Sequence, residues 1–574
     1  MITHWAHRVA APHVGAAREP PGNDTASPRN AARHCYNHPK LEYRMDVQPF
    51  LDSFIPRLAA ADLAHNQAWW EANTSGDPAA VERVREAREA RMALFTDPND
   101  WARLTAWRAF SAIIPTADLK RQAEVLYLEF ARNQRTPEQI AEVAALETEL
   151  QAIFASFRAT VDGEELNENQ LGERLMTATD SAVAQTAWEA SKQIGAVVAP
   201  RLLELVRLRN TIAREQGYPD YYTQQLQLQE IEPEALQAVL DEIEQATTAP
   251  FVAQKAALDA HLAQRFGIEV AALRPWHYND PFFQNPPRLG DYDFDALYHD
   301  QDLEGLALRS FASQGMEVGD LLEASDLYER PGKNQHGYCI RIDRETDDVR
   351  MLCNLRPTAR WMDTLLHELG HAIYYKFMPN TLPYLLRNYP HTSTTEAIAM
   401  LMGRQARNGA WLTAIRGLDA AAAEEAQRVA REEQRFGMLL FARWVLVMSH
   451  FERTLYADPD RADLNQVWWE LVERFQLLQR PDERDAPDWA AKLHLALAPV
   501  YYHNYLLGEM TASQLEQHIA TNLAGDGVVA NAAVGPFLAD KLFALGARFA
   551  WNDTVREVTG EPLSARAFVE QYVD

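Results

Sequence analysis

The chain has 574 residues, 47% hydrophobic and 24% charged, the proportions of an ordinary globular protein with a large core. Asp plus Glu number 81 against 55 Lys plus Arg, a net charge of −26, and such a surface repels phosphate backbones and anionic lipid, so neither nucleic acid nor membrane is an expected partner. Three cysteines make no disulfide framework, no apolar run approaches the roughly eighteen residues that cross a bilayer, and the first residues carry no apolar signal segment. The expected setting is the cytoplasm.

Residues 1–44 are rich in Ala, Arg, Pro and His and lack helical periodicity. They read as a disordered tail, or as an upstream extension before a start at Met45. His34, Cys35 and His38 imitate a metal cluster there but have no fourth ligand nearby. From residue 45 to 574 the chain reads as a single domain, almost all amphipathic helix. In TPEQIAEVAALETELQAIFASF, Thr136 and Gln139 form a capping box around Pro137 at the first helical position. MTASQLEQHI repeats the pattern with Thr511 and Gln514. Long helices continue between 180 and 245, and no repeat of fixed period is present.

Two segments break this texture. WHYNDPFFQNPPRLGDYDFD, residues 276–295, is an irregular loop by its prolines and aromatics. Asp291, Asp293 and Asp295 begin like a calcium loop, but Ala296 stands where glycine is needed and Asp302 where glutamate is, so the expectation is a solvated acidic loop. HGYCIRIDRETDDVRMLCNL, residues 336–355, alternates around the polar tip Glu345-Thr346-Asp347 and reads as a hairpin with one open edge. A turn centred on Thr346 sets Cys339 opposite Cys353, as a reduced cross-strand pair.

The stretch LLHELGHAIYYKF, residues 365–377, carries the chemistry. His367 and His371 are four apart and share one helix face, so both can reach one metal ion, while Leu365, Leu366, Leu369, Ala372 and Ile373 anchor the helix in a core. Glu368 is placed to touch a metal-bound water. Twenty-five residues after His371 comes Glu396, at the start of a helix that the Ser and Thr residues of YPHTSTTEAIAMLMGR can cap. Two histidines and one glutamate leave a fourth position open, the composition of a catalytic zinc site. The competing reading is a buried helix whose histidines bond to neighbours, with Glu396 an ordinary first-turn acid.

HELGHAIYY followed by TEAIA resembles the angiotensin-converting-enzyme family of zinc dipeptidyl carboxypeptidases, with the thimet-type oligopeptidases as more distant kin. The resemblance extends to WWEANTSGD (69–77), AWEASKQIG and NTIAREQGYPDYY (within 187–222), WWELVERFQ (468–476) and KLHLALAPVYYHNYLLGE (492–509). It implies an all-α fold in two lobes around a deep channel, with a short β-hairpin near one zinc ion, and a single catalytic domain acting on short peptides. It implies that His336 and Gly337 lie on a strand that clasps substrate, an extended peptide adding to its edge. Lys492 would hold the substrate's terminal carboxylate and His494 its backbone. Tyr502, or Tyr501 with a shift of one residue, would assist at the carboxylate, and Tyr505 would donate to the oxyanion. Glu368 would serve as the general base.

Three positions depart from the family pattern. Met400 stands where the family has an aspartate that orients a zinc histidine. Val472, and His503 or Asn504, stand where it has chloride-binding arginines, which makes chloride activation doubtful. The glutamine that helps to hold the carboxylate has no clear counterpart, the neighbourhood of Gln301 being the expected place. Dipeptide release from the C-terminus is the leading expectation. Internal cleavage by an oligopeptidase on the same zinc site, and a catalytically silent peptide-binding homologue, are the alternatives.

Overall fold

A computed structural model describes residues 47–573, with 288, 289, 291 and 526 excepted. The expectations for residues 1–44, for His34, Cys35 and His38, for Met45 and for Asp291 lie outside the described residues. Among these there are 21 α-helices and two two-stranded antiparallel sheets, so the fold is all-α with short hairpins.

The local signals behave as their chemistry dictates, with two corrections. Helix Pro137–Ser156 opens on the capping box of Thr136 and Gln139, with Pro137 at its start. Thr511 and Gln514 start no helix, because they lie inside Tyr502–Asn522, where the Thr511 hydroxyl donates to the Leu507 carbonyl. Residues 502–510 are themselves helix-compatible and buried, so packing carries the helix through the capping pattern. Likewise the helix holding Glu396 begins earlier than expected, at Thr392, and its cap is His391, whose Nδ1 accepts from the Ser393 N–H at 3.1 Å.

Two apolar cores dominate. One gathers helices Ser181–Glu215, Pro233–Phe266 and Leu464–Gln476 around Trp188, Trp444, Trp468 and Trp469. The other is built on Ala359–Lys376 (the histidine helix) and Thr392–Gly403 (the glutamate helix). Helix Tyr502–Asn522 (the tyrosine helix) joins them: Tyr502, Tyr505, Leu506 and Met510 enter the first core, Ala512, Leu515 and Ile519 the second. Helix Ala420–Ala457 does the same, with Phe436–Tyr456 in the first core and Ala423, Ala426 and Ala430 in the second.

The hairpin pairs Tyr338–Asp343 with Asp348–Leu352. Its register sets Tyr338 against Leu352 and Cys339 against Met351, so Cys339 and Cys353 are not directly opposed. Asp343 pairs Asp348, so the turn itself is already one residue off a centre at Thr346, and the irregularity between Arg341 and Asp343 adds a second, which leaves Cys339 opposite Met351. Both thiols are free. Asp326 bridges to Leu352 on the outer side of the second strand. The first strand's other edge is met by Asn66, whose amide donates to the Arg341 carbonyl at 3.0 Å. A second hairpin, Ala159–Val161 with Glu164–Leu166, was not expected. Its signal was Asp162-Gly163, a turn pair that takes φ of 51° and 84° here.

Candidate active site

The histidine helix owes its start to two caps. Thr358 accepts from the Trp361 N–H at 3.2 Å, and Asp295 accepts from the Ala359 N–H at 2.9 Å. One carboxylate of the expected acidic loop therefore holds the helix that carries the histidines. The glutamate helix crosses close by: a Cβ on Gly370 would stand 2.6 Å from the Ala399 Cα, so glycine is needed there for the approach. The tyrosine helix meets the glutamate helix at Gly508, where a Cβ would lie 3.4 Å from the Glu396 Cβ.

These crossings bring His367, His371 and Glu396 together. The Nε2 of His367 lies 3.7 Å, and that of His371 3.9 Å, from Glu396 carboxylate oxygens, and the three ligand atoms fall within 4.8 Å of one another. Ligands of a tetrahedral zinc, about 2.0–2.2 Å from the ion, stand roughly 3.3–3.5 Å apart, so each histidine lies a few tenths of an ångström beyond that spacing from its Glu396 oxygen. Two neutral imidazoles and one carboxylate are the right donors for zinc. The second nitrogen of His371 is already held, with Nδ1 2.8 Å from the Thr395 hydroxyl. The residues present fit the metal.

Glu368 is 1% exposed. Gly337 lies over it, since a Cβ there would come 3.6 Å from Glu368 Oε1 and 2.9 Å from the Thr364 methyl. His336 precedes it, its N–H bonded to the Asn334 side chain, and Asn334 is tied to the Asn73 carbonyl. The strand that begins at Tyr338 therefore starts directly above the carboxylate.

The first core supplies the rest. Lys492 is buried, donates to Gln284 Oε1 at 2.7 Å, and lies within 6 Å of the rings of Phe282, Trp444 and Tyr502. Burial pulls its ammonium down to about 8. The glutamine beside this lysine is thus Gln284; Gln301 sits in the turn that leads to helix Leu303–Ser313. Sequence reasoning missed Gln284 because nothing in an irregular loop fixes which side chain turns inward.

His494 stacks 4.8 Å from the Tyr502 ring, and burial, aided by the Lys492 charge, lowers its pKa to about 3, so it is neutral at working pH. Tyr502, rather than Tyr501, contacts both His494 and Lys492; the Tyr501 ring packs on Tyr505 at 5.1 Å. Burial, Tyr502 and the Glu396 charge hold the Tyr505 phenol well above its ordinary value, which keeps its proton in place. The Tyr505 hydroxyl and His494 Nδ1 are both buried, with no hydrogen-bond partner among the described residues. Val472 is buried in the first core, and Asn504 donates to Gln229 at 2.7 Å.

A helical body that brings two imidazoles and a carboxylate together, with a second, buried carboxylate on the same helix as the imidazoles, has the make-up of a metallopeptidase of the HExxH type with a downstream glutamate. The comparison with protein families places the chain more closely. Residues 42–272 match the model for angiotensin-converting enzyme, and residues 323–574 match the model for peptidase family M3. The matches do not overlap, each spans less than half of the chain, and both support a zinc metallopeptidase acting on peptides. No helix among the described residues is long and apolar enough to cross a membrane.

Proposed function

We propose that the protein removes dipeptides from the C-termini of short peptides, with His367, His371 and Glu396 as ligands of one zinc ion and Glu368 as general base. The observation that carries this reading is Lys492. It is a buried ammonium whose only hydrogen bond is to a neutral amide, and no carboxylate lies within ion-pair distance of it among the described residues. A buried cation is costly unless paired, so this site suits a carboxylate that arrives with the substrate, with Gln284 as a second donor through its amide NH2 and Tyr502 alongside.

Zinc, when bound, would polarise the scissile carbonyl and bring the pKa of water towards about 7. Glu368 accepts the proton of the attacking water and passes it to the leaving amine. The buried and unpartnered Tyr505 hydroxyl and His494 ring would supply donors to the developing oxyanion, each worth roughly 3–4 kcal/mol in related sites. The extended peptide lies along His336 and Gly337, the segment that leads into the strand at Tyr338, with Gly337 leaving room for it above Glu368. The likeness to angiotensin-converting enzyme implies a channel that admits only short or unfolded chains. Val472, His503 and Asn504 carry no guanidinium, so hydrolysis should run equally fast in chloride and in acetate buffers.

The test is mass spectrometry of products from one decapeptide with a free C-terminus and from its C-terminal amide. Successive losses of two residues from the free acid only are expected. Internal fragments from both would favour the second reading, an oligopeptidase, which draws on the family M3 match over the segment that carries the zinc residues. An uncut peptide with zinc supplied would leave the silent homologue.

A further inference from the structure

We propose that Asp363 orients the zinc ligand His367 by accepting the N–H of its Nδ1, a proposal that rests on the metal-site reading above. A histidine that binds a metal through Nε2 carries a proton on Nδ1, and that N–H needs an acceptor to fix the ring and keep the nitrogen basic. For His371 the partner is Thr395. For His367, whose Nε2 faces Glu396 at 3.7 Å, the glutamate helix offers Met400 one turn beyond the ligand. A thioether is a weak acceptor, and the Met400 sulfur is turned towards the tyrosine helix, 3.6 Å from where a Cβ of Gly508 would stand.

Asp363 lies one helical turn before His367 and so shares its face. Its Oδ1 is 2.6 Å from the point that a Cβ on Gly403 would occupy, and the His367 Cβ is 3.3 Å from that same point. Carboxylate and imidazole base therefore crowd one small space against the glutamate helix. In an imidazole whose Nε2 points at the metal, Nδ1 lies on the Cβ side of the ring, the side where this carboxylate stands. Gly403 is part of the device, because any side chain there would displace Asp363. The orienting carboxylate thus sits on the histidine helix, and residue 400 is released to pack as a core methionine, 5% exposed.

The test is zinc affinity, measured by competition with a chromophoric chelator, together with the melting of the metal-free proteins. Asp363→Asn and Asp363→Ala should each bind zinc roughly ten- to a hundredfold more weakly, with metal-free melting unchanged. In the double variant Met400→Asp, Asp363→Ala, a carboxylate restored from the other helix should recover about tenfold of that loss, which a merely structural role for Asp363 would not allow. Should the alanine variant melt early, the near-isosteric Asp363→Asn decides. Both single variants binding within about threefold of the parent, or a double variant no tighter than Asp363→Ala, would overturn the proposal. Parent protein that takes up no zinc, or zinc uptake that survives His367→Ala, would instead overturn the metal-site reading and this proposal with it.

Discussion

Lys492 and Glu368 are both buried charges whose use depends on substrate. Burial lowers Lys492 to about 8, so it is an ammonium below that pH and a neutral amine above it. Because kcat/KM reports the free enzyme, it should fall above about pH 8 for peptides with a free C-terminus, and Lys492→Met should lower it throughout and abolish that limb. A parent profile flat from pH 7 to 10 would speak against the carboxylate role. Glu368→Gln keeps the shape of the side chain and all three ligands, so zinc should stay bound while kcat drops by roughly 10²–10⁴. Tyr505→Phe should lower kcat about 10²–10³-fold with KM little changed, since its donor serves the transition state.

At the scale of elements, the site depends on how closely three helices approach. Gly370 lets the histidine helix touch the backbone at Ala399, and a methyl there meets backbone 2.6 Å away, which cannot move like a side-chain tip. Gly370→Ala should destabilise the protein by about 1–3 kcal/mol and weaken zinc binding with it, read as a lower denaturation midpoint and a higher zinc Kd. An unchanged midpoint would mean that the helices separate freely. This is also where the sequence was most and least legible. His367 and His371 were readable because helical spacing sets their shared face, Glu396 from its place twenty-five residues downstream and the family resemblance, and the hairpin because its strands alternate. Gln284 and Asp363 were not, since their roles come from contacts across 208 residues in one case and at a helix crossing in the other. The expected opposition of Cys339 and Cys353 failed for a similar reason, because an off-centre turn and one bulge are both invisible to a symmetric count.

At the scale of the whole molecule, the candidate metal ligands sit on helices of one apolar core and Lys492 lies against rings of the other, and the tyrosine and 420–457 helices run through both. We read residues 45–574 as one catalytic domain on this ground, and limited proteolysis should release no active half. The join contains a strained turn: Val500, just ahead of the tyrosine helix, has φ of 54°, and its N–H bonds to Glu452 Oε1 at 2.8 Å. Burial raises Glu452 from the usual 4.5 to about 8, so the fold favours its protonated form. The stability tied to that proton is complete below about pH 4.5 and is lost as pH climbs through about 8. Glu452→Gln keeps an acceptor for Val500 without the charge, so its melting temperature should fall less between pH 5 and 9 than the parent's. Equal slopes would mean that folding does not raise the Glu452 pKa.

On the proposed function, one zinc at His367, His371 and Glu396 faces a peptide whose terminal carboxylate is held by Lys492. Zinc-edge anomalous scattering from crystals of the Glu368→Gln protein with a bound decapeptide tests it most directly. The expected result is one zinc about 2.0–2.2 Å from both Nε2 atoms and a Glu396 oxygen, with the peptide's C-terminus against Lys492 and Gln284. Zinc held by other residues, or a peptide crossing the site with its terminus far from Lys492, would contradict it.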